Sequence, residues 1–403
     1  MILLDKKEAG FLLIILICLS ASFIFFMYSP LRADERIHYD QIINFSHGKF
    51  TLSPYIAQIP GYHYFMAGVA TAFNLTGKRV RSISFIISVF TVLLFFFTAR
   101  KVAYKNRFAN TLLFSLMPIL FPFFFLIYTD VMSLFFVLLA FYLMLNEKYT
   151  LTGISGIISC LIRQDNIVWL GFIFAYILWK NYEFKINRKN LLQIAKELWV
   201  YLLGFSAFLV FVITNKGFAI ADKQVNPAFS FHLGNVYFML FLFFFLFLPY
   251  NISKFKEIAE CVRKNRLTPL YGGAFFITYI LTFINNHPFN IQWTDYFLRH
   301  WILVTFSSNI FLKSLFFIPV FYSVFSLFVT RFYNKYYWFI YPFTLLYVTP
   351  HWLIEQRYYI IPFSLFVLFS KRESKLYDYI TIISYFIISL LLLNGIKKGY
   401  FFL

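Results

Sequence analysis

Apolar runs, separated by short polar segments, repeat along almost the whole chain. A helical stretch of about 20 apolar residues crosses a hydrocarbon core of roughly 30 Å, and shorter ones manage it where the bilayer thins or flanking side chains snorkel. On that measure spans are predicted at residues 10–28, 82–98, 109–127, 131–145, 151–162, 167–179, 198–213, 236–250, 270–284, 311–329, 336–348, 359–369 and 379–393. The expected fold is all-α: a polytopic membrane bundle of roughly twelve or thirteen transmembrane helices. Residues 1–403 read as a single domain, without an internal repeat or a low-complexity linker. The first run lacks a small-residue cleavage site and reads as a retained anchor rather than a signal peptide.

Composition removes the soluble alternatives. The chain is 61% hydrophobic and only 13% charged, whereas soluble domains run at about 45–50% apolar and about 25% charged. A net charge of +19 would point a soluble protein toward nucleic acid. Here the Lys and Arg residues collect between apolar runs, so the charge reports topology and no nucleic-acid partner is expected. Three cysteines, Cys18, Cys160 and Cys261, form no CxxC pair, so neither a disulfide framework nor a zinc site is implied.

Threading the chain with its N-terminus in the cytoplasm places Arg100 to Arg107, Lys180 to Lys196, Lys254 to Arg266, Arg331 to Lys335 and Lys371 to Lys375 on the inner side. That distribution obeys the positive-inside rule and requires residues 54–76 to lie along the outer surface as a re-entrant or interfacial segment.

With the topology set by charge alone, the unusual polar residues near membrane boundaries fall on the outer side. Asp34, Glu35 and His38 follow the first anchor, with Asp34 and His38 four apart and hence on one helical face. Their carboxylates suit either the start of a solvated helix or a general base. Asp130 lies in a tight turn between two apolar runs. Arg163-Gln164-Asp165-Asn166 interrupts a long apolar stretch, where consecutive polar groups need partners and a guanidinium can grip a phosphate through two donors. Further loops carry Asp222, Lys223 and His232, then His287, Asp295 and Arg299, and finally Glu355 and Arg357, which read alternatively as an interfacial ion pair. No histidine spacing suggests a metal. Carboxylates for a base beside cations for an anion suit group transfer from a phosphate-linked lipid at the membrane surface.

These segments resemble, in order and over nearly the whole chain, the dolichyl-phosphate-glucose-dependent α-1,2-glucosyltransferases that add the last glucose to the lipid-linked oligosaccharide. The family's M-D-E-x-F-H is echoed by Ala33-Asp34-Glu35-Arg36-Ile37-His38, and its T-L-P-G-x-Y by Gln58-Ile59-Pro60-Gly61-Tyr62-His63-Tyr64. Its Y-Y-T-[DE] is similar to Ile127-Tyr128-Thr129-Asp130, and its F-R-Q-T-N-I-x-W to residues 162–169, with Asp165 replacing Thr. A G-D-[RK] segment before a lumenal His looks like Ala221-Asp222-Lys223 and His232, and E-F-R-Y-F-I-L-P like residues 355–362. The chain departs from the family at residues 287–296, which are shorter and lack an Arg-His pair, so the resemblance leaves the terminal acceptor sugar open.

The resemblance implies a C-type glycosyltransferase bundle in the endoplasmic reticulum membrane, or in the inner membrane of a bacterial source, with the site under lumenal loops. It implies dolichyl-phosphate-glucose as donor, a lipid-linked oligosaccharide as acceptor, inversion at the anomeric carbon, and no cofactor or metal. Asp34 is the first choice for the base and Glu35 the second. Charge and side nominate Arg163, Arg357, Lys223 and His287 for the leaving phosphate, and His38, Asp130, Gln164, Asp222, His232, Arg299 and Glu355 for substrate binding. A related C-type enzyme with another polyprenyl-phosphate sugar, a transporter or flippase, and a silent regulatory subunit are the alternatives. A transporter would place its ionisable residues near the bilayer midplane instead. The threading predicts that the sequons at Asn44 and Asn74 face the glycosylating compartment and that at Asn251 does not; glycan mapping that finds Asn251 occupied would invert the topology.

Overall fold

The computed structural model describes residues 4–185, 187–221, 223–227, 231–292 and 296–403, with the side chains of Arg188 and Lys189 left aside. Among them, nineteen α-helices and short 3-10 turns account for the regular structure, and β pairing is limited to isolated bridges at Phe297–Phe402 and Phe332–Ser370. The all-α polytopic expectation holds.

The anchor α1 (Lys6–Phe26) starts at Asp5, whose side chain accepts from the Glu8 backbone while Glu8 returns the bond, a reciprocal cap. Two shorter helices follow, α2 (Asp34–Ser46) and α3 (Gly61–Ala72). At 12 residues α3 rises only about 18 Å, well short of a hydrocarbon core of roughly 30 Å. It lies close on α7 (Tyr149–Ile162), and Gly61 is what allows this: a Cβ there would sit 2.4 Å from the Leu161 carbonyl oxygen.

Between them run α4 (Arg81–Val102), α5 (Arg107–Ser115) and α6 (Thr129–Leu145). The span expected at 109–127 is not one helix. It stops at Ser115 and continues as turns and a 3-10 segment at Phe121–Phe124, because Pro118 and Pro122 remove amide donors and clash with a preceding helical turn. Irregular backbone at this depth needs internal partners. Ser389 donates to Leu116 O, Ser88 to Phe124 O, and Glu35 accepts from the Ile127 N–H.

Then come α8 (Ile167–Tyr182), α9 (Arg188–Asn215), which bends at Leu198, and α10 (Gly234–Leu246). The span expected at 236–250 breaks at Phe247, ahead of Pro249, and resumes as α11 (Leu248–Ser253). The rest comprises α12 (Phe255–Lys264), α13 (Thr268–Thr282), α14 (Pro288–Ile291), α15 (Leu298–Ser307), α16 (Ile310–Val329), α17 (Ile340–Val348), α18 (Ile360–Phe369) and α19 (Lys375–Lys398). Among the described residues, five helical stretches, ending in α1, α4, α9, α16 and α19, are by themselves long and apolar enough to cross a membrane. The other apolar helices are shorter.

Ion pairs define two polar ends. At one, Glu8 meets Arg107 at 2.8 Å and Arg100 at 3.4 Å, Asn106 donates to Arg372 O, and Arg372 pairs with Asp378 at 2.7 Å. The charge-based threading put these same segments together on the inner side. At the other end, the starts of α2, α6 and α8 converge with the turn before α18, and the site lies there. Gly61→Ala should weaken the α3–α7 contact by about 1–3 kcal/mol and lower the thermal unfolding midpoint in detergent; an unchanged midpoint would mean the helices can part without loss.

Candidate active site

Among the described residues, four carboxylates and three arginines form one connected network. Arg357 Nε lies 2.8 Å from Glu355 Oε1, its Nη2 donates to Asp34 Oδ2 at 3.0 Å, and its Nη1 lies 3.9 Å from Asp130 Oδ2. Arg163 donates to Asp130 Oδ1 at 2.9 Å and to Asp165 Oδ2 at 3.0 Å. Arg299 reaches Glu355 Oε1 at 3.3 Å. Residues up to 323 apart in sequence thus meet, because the first turn of α2, the start of α6, the 3-10 turn between α7 and α8, and the turn before α18 share one end of the bundle.

Aromatic faces seal the network. The Arg357 guanidinium lies 5.1 Å from the Tyr128 ring centre, and His351 stacks on Tyr358 at 4.0 Å. Burial by itself would raise the Glu355 carboxyl, but Arg357 and Arg299 outweigh it and hold the group down at about 2. His38 is held at about 3, first by burial and then by Arg357 and Arg163. His351 is held at about 4, chiefly by burial, against the pull of Asp165.

Among the four carboxylates Asp34 is the most accessible: its side chain is 49% exposed, against 17% for Asp165, 4% for Asp130 and 3% for Glu355. Asp34 opens α2 directly after Ala33, a non-glycine residue held at φ 47°, a conformation that costs energy and that sets the helix start over Arg357. Its neighbour has the opposite surroundings. Glu35 is fully buried, pairs with Arg81 through both oxygens at 2.7 and 2.6 Å, and also accepts from the Ile127 and Arg32 amides. This corrects the reading of Glu35 as an alternative base, since no lone pair remains for a substrate proton.

Several other expected site residues are engaged by neighbouring groups of the protein. Gln164 accepts from Ile59 N–H and donates to the carbonyls of Ala57 and Phe218, so it clamps two loops to the α7–α8 turn and has no free donor for substrate. His287 accepts from Phe289 N–H at Nδ1, and its Nε2 lies 3.2 Å from Val225 O; a neutral ring satisfied at both nitrogens is not a phosphate donor. Lys223 closes the end of α9 by donating to Asn215 O, and His232 stacks near Trp352. His38 Nδ1 lies 2.9 Å from His63 Nε2, inside the protein. Asp222 lies outside the described residues.

Beside Arg163 a cavity of about 410 Å³ opens between α8, α9 and α17. Arg163, Asp165 and His351 form its polar end, and Val168, Phe208 and Leu346 belong to its apolar wall. A group with a charged head and a hydrocarbon tail matches that division.

The match of this chain to known proteins covers the network from end to end: the model of the DIE2/ALG10 family matches residues 30–368. The chain belongs to the DIE2/ALG10 family. Similar relatives share the name Dol-P-Glc:Glc(2)Man(9)GlcNAc(2)-PP-Dol alpha-1,2-glucosyltransferase. The rat protein is 25% identical over 335 residues, 67% of this chain and 70% of its own length. A human protein is 24% identical over 394 residues, 83% and 82% of the two chains. A mouse protein is 26% identical over 290 residues, and the match spans 61% of its length, less than two thirds. No solved structure matches.

Within this DIE2/ALG10 chain, the sequence pattern did not single out two residues of the site. Arg81, the partner of Glu35, opens the apolar helix α4 behind Lys78 and Arg79 and looks like part of an interfacial basic cluster. His351, 3.6 Å from Asp165, sits in a short loop with no spacing to mark it. In the folded protein, His38 and His351 titrate below their free value near 6.5, so the unfolded chain binds more protons between pH 6.5 and 4 and stability falls as pH drops through that window. Glu355, lowered, adds its own loss below about pH 4.5. His351→Asn should therefore flatten the fall of the unfolding midpoint between pH 6.5 and 4, read by scanning fluorimetry in detergent; an equal slope in both proteins would remove His351 from that balance.

Proposed function

We propose that this protein transfers glucose from dolichyl-phosphate-glucose to the terminal glucose of a lipid-linked oligosaccharide, forming an α-1,2 linkage with inversion at a lumenal site in the endoplasmic reticulum membrane. The observation that carries this reading is Asp34, a half-exposed carboxylate 3.0 Å from Arg357, in an ion-pair network whose Arg163 and Asp165 line a cavity with an apolar wall. The shared name of the relatives supports the choice of donor and acceptor.

In this reading Asp34 takes the proton of the acceptor hydroxyl as that oxygen attacks the anomeric carbon, a role that typically contributes about 10²–10⁴-fold. The bond from the anomeric carbon to the phosphate oxygen breaks, and its electron pair stays with the phosphate. Arg357 faces that growing charge, and a guanidinium meets it with preorganised donors. Arg163 acts indirectly: it donates to both Asp130 and Asp165 and so braces the carboxylates around Arg357. The cavity between α8, α9 and α17 holds the first isoprene units of the donor against its apolar wall.

Asp34→Asn should leave protein levels unchanged and reduce glucose transfer by about 10²-fold or more, with lipid-linked oligosaccharide stalling one glucose short in cells that carry only the variant. A normal oligosaccharide pool in those cells would remove Asp34 from the base role. Arg357→Lys, which keeps charge but loses the planar fork, should also slow turnover; unchanged kinetics would make Arg357 a structural anchor.

A further inference from the structure

The central network has more negative than positive groups. Its three arginines, Arg163, Arg299 and Arg357, face four carboxylates, Asp34, Asp130, Asp165 and Glu355. Adding the single negative charge of a phosphodiester would leave two charges uncompensated in a largely buried place, a costly arrangement. One of the carboxylates has to leave its arginine, and the four differ in their freedom to do so. Glu355 lies between Arg357 and Arg299 and is 3% exposed; Asp130 lies between Arg163 and Arg357 and is 4% exposed; Asp165 is held by two donors of Arg163. Among the described residues Asp34 has one partner, Arg357 Nη2 at 3.0 Å, and is 49% exposed to solvent.

We propose that Asp34 and the phosphate of the lipid donor exchange places on Arg357, so that binding of the donor releases the base. The proposal rests on the glucosyltransferase reading above and adds to it a coupling between donor binding and activation of Asp34. Arg357 keeps its grip on buried Glu355, and the Nη2 edge that Asp34 vacates faces the phosphate. Asp34, still on the first turn of α2, then has a free oxygen for the acceptor hydroxyl.

The charges balance through the step. Before reaction, Asp34 and the phosphodiester carry one negative charge each. The acceptor proton moves to Asp34, the acceptor oxygen bonds to the anomeric carbon, and the bond from that carbon to the phosphate oxygen breaks with its electron pair going to the phosphate. Asp34 is then neutral and the polyprenyl phosphate carries about two negative charges near pH 7. The total is unchanged, and the second charge appears beside the guanidinium that Asp34 has left. Loss of the Asp34 proton to water restores its pairing with Arg357 and helps expel the phosphate product.

The test uses the full-length protein in detergent, with a short-chain polyprenyl phosphate as probe and the corresponding uncharged polyprenol as control. Asp34→Asn should bind the phosphate roughly three- to tenfold more tightly than the native protein, because a competitor for Arg357 is gone, and should bind the polyprenol equally. In an Arg357→Gln background the same Asp34→Asn change should give no tightening, the signature of coupling through Arg357. Unchanged or weaker phosphate binding by Asp34→Asn overturns the exchange, even if native protein transfers glucose and the function stands. Failure of the native protein to bind the phosphate, together with absent glucose transfer, overturns the function reading and the exchange with it.

Discussion

Everything at the Asp34–Arg357 end of this bundle depends on keeping several charges out of water at once. Removing a single partner from such a set leaves a buried charge unmatched, which costs far more than an exposed pair is worth. The set here is continuous from Asp34 through Arg357 to Glu355 and Arg299 on one branch, and through Asp130 to Arg163 and Asp165 on the other. It joins α2, the start of α6, the α7–α8 turn and the turn before α18, and so it serves as a tertiary clamp as well as a site. Tyr128 and Tyr358 keep water from its flanks while giving two of its guanidinium groups an aromatic face.

Two adjacent acids on α2 show how surroundings divide labour. Asp34 and Glu35 share a helix turn and a charge, yet Glu35 points into the protein, where it holds Arg81 and caps the amide of Ile127. That bond supports the irregular, proline-broken segment after α5, which positions Tyr128 and Asp130. Glu35 therefore builds the floor on which Asp34 stands. The cavity beside Arg163 adds the apolar element, so that charge and hydrocarbon are handled on neighbouring walls.

The broad organisation was legible from the chain. Apolar runs marked most helices, and the distribution of Lys and Arg separated the two polar ends that the ion pairs at Glu8 and at Arg357 independently define. Membership of the DIE2/ALG10 family was legible too, through short motifs in a fixed order. What stayed hidden were partners. Gln164 and His287 look like ligands in a sequence because they are polar at membrane depth, and both instead satisfy backbone groups of loops distant along the chain. The break after Ser115 was signalled by Pro118 and Pro122, but an apolar average over residues 109–127 conceals it.

Hydrophobic length and the placement of cations act locally, since each apolar run must leave water and each cationic loop prefers the inner side whatever the remaining chain does. The sequence by itself therefore determined that this is a helical membrane protein and which stretches of the chain form its polar ends. Which acid is free and which is spent depends on contacts between residues such as Asp34 and Arg357, brought together by packing across the whole fold. Hydrogen-bond capacity is used up by neighbours in space, not in sequence, and for that reason only the tertiary structure could separate the exposed Asp34 from the saturated Glu35 beside it.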